Sequence, residues 1–337
     1  FQAEDGIRDS STSRGLGDVY KRQPLEEARQ RVVAALQPIT SRSTVPLDQA
    51  LGRVSAADVL ASAAVPGFRA SIMDGYALGQ SHQPKPGDTW QLKGRSAAGQ
   101  PFNGNLATGD AIRIHTVAPL PDGAGWVLPQ ELISVEGTCL RLVKEASDRP
   151  WIRPEDEECR PGDLLLAAGQ RLGAADLARL ASCGIAALTV AQQPRIGLLI
   201  SGDELVPPGT ARQPGAIWES NGTLLETMLR ALRQSVTQRR VVADQPDALR
   251  QALLELAHDC DVVVSTGGVS AGDTDWIRPL VAELGAVDFW KLFLRPGRPF
   301  AFGSIGESVP LFGLPGNPVA AAVTALQLLW PALQILE

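Results

Sequence analysis

Cysteine and histidine are scarce in this chain of 337 residues. The four cysteines (Cys139, Cys159, Cys183, Cys260) stand far apart and make no C-x-x-C pair, and the three histidines (His82, His115, His258) are scattered. That spacing excludes a structural zinc site and reads as reduced, packed thiols in a cytosolic protein. A secretory signal is also missing, since the first twenty residues are polar and charged. No apolar run is long enough to span a bilayer: Val319 to Trp330 stops short and is followed by Pro331, so it reads as a core helix and the chain as having no membrane partner. An excess of basic residues is lacking too. With 31 Lys and Arg against 37 Asp and Glu the net charge is -6, which argues against a broad nucleic-acid or anionic-membrane surface. A local basic pocket for a small anion remains compatible with that balance.

What is present is ordinary globular composition, 44% hydrophobic and 20% charged, at a length that favours two or three domains over one core. Residues 1–23 have no amphipathic period and read as a disordered or foreign leader. Pro24 opens a helix in which Leu25, Ala28, Val32, Ala35 and Leu36 recur at helical spacing, and a short second helix is expected around Pro46 to Gly52. Short apolar runs (TWQL, AIRIHTV, GWVLPQELI, CLRLV) between glycines and prolines predict a small β-rich domain over 69–143. Residues 24–68 with 144–190 then form an N-terminal α+β linker domain. From 191 onward strands alternate with helices: RIGLLIS, NGTLLETMLRALR, RRVVAD, PDALRQALLELAHD, DVVVSTGG, TDWIRPLVAEL, VDFWKLFL, PFAFGS and NPVAAAVTALQLLW. That order predicts an α/β fold, a doubly wound, largely parallel sheet with helices on both faces, over 191–337.

Ligands of such sheets sit beyond the carboxyl ends of the strands. The segments there are Ser201-Gly202-Asp203-Glu204, Asp244, the glycine-rich Ser265–Asp275, Arg295-Pro-Gly-Arg298-Pro with Lys291 upstream, and Gly313-Leu-Pro315-Gly316-Asn317-Pro318. Glycines let backbone N–H groups approach phosphate oxygens, and helix N-termini favour anions. Arginine and lysine neutralise such a ligand, and the carboxylates are hard oxygen donors suited to Mg²⁺. Singly, each piece has a plain reading: Asp244 and Thr274 as helix caps, the glycines as turn formers, the RPGRP run as a solvated turn. Convergence on one edge is what favours a binding site. In the β-rich region Asp74 stands in SIMDGYA, where a plain turn with Met73 and Tyr76 as core is the favoured reading from these residues alone.

Taken together, VPGFRASIMDGYAL, GDAIRIHTVAPLPDGA, SGDEL, AIWESN, VVVSTGGVSAGDTD, FWKLFLRPGRPFAFG and FGLPGNP resemble the MoeA family, the molybdopterin molybdenumtransferases. The resemblance runs from about Pro24 to the last residue. It implies a Mg²⁺-dependent transferase of molybdenum cofactor biosynthesis that takes adenylated molybdopterin and molybdate, inserts the metal, and releases AMP. Carried over position by position, it implies catalytic roles for Asp74, Thr116, Glu204, Asp244, Asp275, Lys291 and Arg295. Ser201, Gly202, Asp203, Ser220, Asn221, Thr266, Gly267, Gly268, Ser270, Gly272, Arg298, Pro315, Gly316, Asn317 and Pro318 are implied to bind the cofactor precursor. Glu204, Asp244 and Asp275 are implied to meet the metal.

The resemblance further implies a cytoplasmic homodimer in which Asp74 and Thr116 of one chain complete the other's site, fed by an upstream adenylyltransferase. Three departures stand out. Val117 replaces the glycine that usually follows the I-R-I-x-T threonine, Glu158 replaces an aspartate, and Arg295 replaces a lysine. A C-terminal β domain that the family carries is expected to be absent after Glu337. The alternatives are a non-catalytic molybdopterin-binding or scaffold module, and a related protein acting on nucleotides that would lack the Met73-Asp74-Gly75-Tyr76 region.

Overall fold

The structure is a computed structural model that describes residues 23–269 and 275–337. The proposed leader up to residue 22 lies outside the described residues, as do Ser270, Gly272 and Thr274. Contacts divide the described residues into two compact units, one formed by 44–51 and 55–189, the other by 23–43, 52–54 and the described residues of 190–337.

Helix α1 (Leu25–Ala35) carries Glu26 and Glu27 in its first turn and buries Ala28 and Val32. It shares its core with the α/β sheet described below, whereas sequence order had grouped it with the linker segments. Gln23, read as part of the leader, is built into the same unit. Its N–H donates to Lys291 O (3.1 Å), and its C=O accepts from Phe293 N–H (2.8 Å). Such non-local pairing leaves no periodic trace in a sequence. In place of the short helix expected at 46–52 there is a strand at Arg42–Pro46 and one 3₁₀ turn at Leu47–Gln49.

The first unit holds a six-stranded sheet: β1 (Gly75–Leu78), β2 (Thr89–Ser96), β3 (Asp110–Ile114), β4 (Trp126–Pro129), β5 (Ile133–Glu136) and β6 (Cys139–Leu142). Its order is β4-β1-β3-β2-β6-β5. All pairs are antiparallel except β2 with β3. Leu78, Trp90 and Leu128 bury one side and Ala77, Ile112 and Val127 the other, so both faces are covered. Helix α2 (Ala174–Ser182) belongs to this unit. The cysteines are all free thiols, yet two are less scattered than their numbers suggest, with Cys159 Sγ 3.7 Å from Cys183 Sγ. Burial pushes the Cys159 and Cys260 thiols up, which makes both poor nucleophiles.

The second unit is the α/β sheet: β7 (Ile196–Ser201), α3 (Asn221–Ala231), β8 (Val236–Val242), α4 (Pro246–Asp259), β9 (Val262–Thr266), α5 (Ile277–Leu284), β10 (Gly285–Trp290), β11 (Ala301–Ile305), β12 (Val309–Leu314) and α6 (Pro318–Leu336). Strand order is β8-β7-β9-β12-β11-β10. The first four run parallel, and β11 and β10 pair antiparallel at the far edge. Strands β7 and β9 are buried at every residue, as continuous apolar runs between helical layers must be. Alternation sends Leu198 and Ile200 toward α1, α3 and α6, and Leu199 and Val263 toward α4 and α5.

Helix α6 corrects the length argument. It continues through Pro331 to Leu336, and by length and composition alone its 19 residues would cross a membrane. Half of it is buried, and Ala321, Leu329 and Leu333 sit in the main core. Pro331 has no N–H to give the Gln327 carbonyl, so the helix widens into a π turn over Ala325–Leu329. Arg29 Nε supplies the missing donor to Gln327 O at 3.2 Å.

Candidate functional site

From β7 the chain turns to β8 on one side, and β9 lies on the other. This reversal of direction leaves a crevice beyond the ends of β7 and β9. Gly267 has φ +91, and a Cβ there would lie 2.7 Å from Ser201 O, so the two strand ends approach as closely as backbone allows. Strand β10 runs parallel to β12 two places away, and Trp290 pairs with Ala301, which pairs with Gly313. The arginine loop between β10 and β11 therefore emerges at this same edge.

Three adjoining clefts line it. The central one, about 420 Å³, gathers Ser201, Gly202 and Glu204 from the β7 loop and Gly267 and Gly268 from the β9 loop. Asp244, Asp275, Pro315, Gly316 and Asn317 also line it. Asp244 caps no helix: α4 begins without a side-chain cap, and the buried Asp244 Oδ1 has no hydrogen-bond partner. Its own N–H donates to Asp203 Oδ1 at 3.0 Å. Burial pushes the Asp244 carboxyl above the ordinary range, and the neighbouring charges of Asp203 and Glu204 push it further.

Among the described residues no three carboxylate, histidine or cysteine side chains gather at metal-ligating range. Glu204, Asp244 and Asp275 thus share a cleft without forming a ready-made three-carboxylate centre, because like charges brought together repel. Mg²⁺ takes one or two carboxylates and completes its shell with phosphate oxygens and water, and the orphaned Asp244 oxygen fits that mode.

A smaller cleft of about 90 Å³ opens on one side, lined by Trp218, Glu219, Ser220, Asn221, Thr266 and Pro318 among others. Asn221 Nδ2 donates to Thr266 Oγ1 (2.6 Å) and to Gly316 O (2.8 Å), tying three loops together, while its buried Oδ1 has no partner. Glu219 is buried. Its Oε1 accepts the Gly222 N–H at 2.6 Å, capping α3 in place of Ser220, and its Oε2 pairs with Arg239. Glu219 was not among the expected residues. The AIWESN motif placed it, but a single acid before a helix carries no mark of burial.

On the other side lies a cleft of about 710 Å³ formed by the 292–299 loop, which shares Pro299, Asn317 and Ala320 with the central one. Arg295 and Arg298 line it, and among the described residues neither makes an ion pair. Asn317 caps α6, accepting the Ala320 N–H at 3.1 Å. Lys291 lines none of the three clefts; its Nζ stands 3.8 Å from the Trp290 ring centroid.

In the first unit, Asp74 Oδ1 accepts from Thr116 N–H (2.8 Å) and Thr116 Oγ1 (3.2 Å), with His115 Nδ1 at 3.6 Å. The Thr116 hydrogen bonds hold the Asp74 carboxyl below its ordinary range, His115 and Arg113 adding to the effect. Val117, next in line, has φ +65, a conformation that suits the glycine it replaces. Arg153 Nη2 bonds Glu158 Oε1 at 2.8 Å, so the longer acid at 158 finds a partner.

An α/β sheet whose crevice joins a buried carboxylate oxygen without a partner, glycine loops and two arginines outside any ion pair among the described residues has the features that suit a small, anionic, phosphate-like ligand. Residues 23–184 match the MoeA N-terminal region (domain I and II), and residues 197–335 match a probable molybdopterin binding domain. The chain belongs to the MoeA family of molybdopterin molybdenumtransferases. It is 34% identical over 314 residues to a molybdopterin molybdenumtransferase of Haemophilus influenzae, covering 93% of this chain and 77% of that one. With molybdopterin molybdenumtransferase 2 of Mycobacterium tuberculosis the identity is 31%, over 92% of this chain and 78% of the relative. The crystal structure of the molybdopterin biosynthesis MoeA protein from Pyrococcus horikoshii superposes with a TM-score of 0.78 at 28% identity, covering 94% and 81% of the two chains.

Proposed function

We propose that this chain is a transferase of molybdenum cofactor biosynthesis that inserts molybdate into adenylated molybdopterin and releases AMP. The observation that carries this reading is the buried, unpartnered Asp244 oxygen in a crevice flanked by Arg295 and Arg298, which make no ion pair among the described residues. The ligand is long and doubly charged at its pyrophosphate. Gly202, Gly267 and Gly268 give that link close backbone approach, and Arg298 with Arg295 neutralises it as charge moves to the departing phosphate. Asn221 holds the Thr266 and Pro315–Gly316 loops in register, so the reacting groups meet already oriented. Asp244, Glu204 and Asp275 are the residues that would hold Mg²⁺, which when bound would neutralise phosphate charge during cleavage. Asp74, ionised over the whole neutral range, is held ready by Thr116 as a fixed negative charge.

The chain is further proposed to act as a cytoplasmic homodimer supplied by an adenylyltransferase; four free thiols agree with a reducing compartment. Light scattering at twice the chain mass supports the dimer, and a monomer mass removes it. The activity is tested with purified chain, Mg²⁺, molybdate and adenylated molybdopterin, following AMP release. Binding without AMP release would sink the enzyme reading and leave a molybdopterin-binding module.

A further inference from the structure

We infer that Trp218 is a stacking platform for a planar heteroaromatic ring of the bound ligand, an inference that rests on the nucleotide-like substrate proposed above. Trp218 is 47% exposed, an unusual place for the largest apolar side chain, and yet it is not loose. Its Nε1 donates to Thr210 O at 2.9 Å, and the Arg212 guanidinium lies 4.1 Å from the indole centroid. The hydrogen bond sets the ring's orientation and the arginine backs one face. Trp218 also lines the small cleft, together with Glu219 and Asn221, at the end of the crevice away from Arg295 and Arg298. A rigid, exposed aromatic at the rim of a cleft binds flat rings without much ordering cost.

The second observation is the buried Asn221 Oδ1, an acceptor without a partner in that cleft. A buried acceptor is costly until a donor reaches it, and a ring bearing an exocyclic amino group supplies one. Glu219 makes this acceptor a fixed feature, because its carboxylate caps the start of α3 where Asn221 sits. The chemistry recognised is therefore a flat, amino-bearing heterocycle attached to phosphate. Both ends of adenylated molybdopterin have it, adenine at one and the pterin at the other.

The test uses the intact chain and two probes, AMP and pterin-6-carboxylic acid, with ribose 5-phosphate as the ring-free control, measured by calorimetry. Trp218→Ala is expected to weaken one ring ligand on the order of ten-fold, to leave ribose 5-phosphate unchanged, and to be rescued by Trp218→Phe. Loss confined to AMP assigns the platform to adenine; loss confined to the pterin assigns it to the other end. If the parent chain binds both probes and Trp218→Ala binds them equally well, the platform is wrong and the substrate reading stands. If the parent chain binds neither probe, the substrate reading falls and takes the platform with it.

Discussion

At the scale of single residues, Asp244 shows a site that costs stability. Its carboxyl is raised by burial and by Asp203 and Glu204, so the folded state prefers the proton on. The sign follows: stability is greatest below the ordinary value of about 3.9 and declines as pH rises through the raised one. At neutral pH the ionised side chain is a burden. Asp244→Asn should therefore raise the melting temperature at pH 7, on the order of 2 °C, and the gain should vanish below about pH 4. The same change should cut AMP-releasing turnover on the order of 100-fold. Melting curves of both proteins across pH, beside the turnover assay, check both halves. A variant less stable at pH 7 would mean that the carboxylate is paired after all. Val117 is the opposite case, a backbone burden with no charge involved. Its left-handed φ of +65 penalises a β-branched residue, and Val117→Gly should stabilise by about 1 kcal/mol net of glycine's own entropy. Denaturant unfolding measures that, and a loss of stability would show that the valine side chain earns its place by packing.

At the scale of elements, the sequence spoke clearly where burial is two-sided. IGLLIS and VVVST became β7 and β9 with little ambiguity, since every residue of these two runs is apolar or small and buried. The carboxyl-edge loops followed from strand order alone. Three things did not. Strand β12 lay hidden in ESVPLFGLPGNP, where prolines and glycines signal a loop, although Leu311, Phe312 and Leu314 are fully buried. Helix α6 outran its proline because Arg29, 298 positions away in the chain, repairs the broken hydrogen bond. The joint between α3 and β8 was likewise invisible, because Glu219, Gly222 and Arg239 form a unit only when folded. A Cβ on Gly222 would stand 2.5 Å from the Arg239 guanidinium carbon and 2.5 Å from Ile200 Cδ1. Gly222→Ala should thus push Arg239 off Glu219 and destabilise by about 1–3 kcal/mol. Thermal unfolding measures the loss, and a crystal structure showing the Glu219–Arg239 pair intact would contradict the mechanism.

At the scale of the molecule, two units with separate cores imply that stability is not a single number. The proposed nucleotide-like ligand touches clefts of the α/β unit, so mass action stabilises that unit and has no such direct hold on the β-rich one. Calorimetry should resolve two transitions. AMP at about 100 times its Kd should raise one of them, by about 2.7 kcal/mol of added unfolding free energy, and leave the other in place. Tryptophans tell the two apart, since Trp90, Trp126 and Trp151 lie in the β-rich unit and Trp218, Trp276, Trp290 and Trp330 in the α/β unit. Replacing the first three by phenylalanine leaves fluorescence that reports the second unit alone. The ligand-shifted transition should coincide with that fluorescence, and Asp244→Asn should move the same transition. A single cooperative transition that AMP shifts as a whole would mean the two cores unfold together, and that the α/β unit's binding energy is shared across the chain.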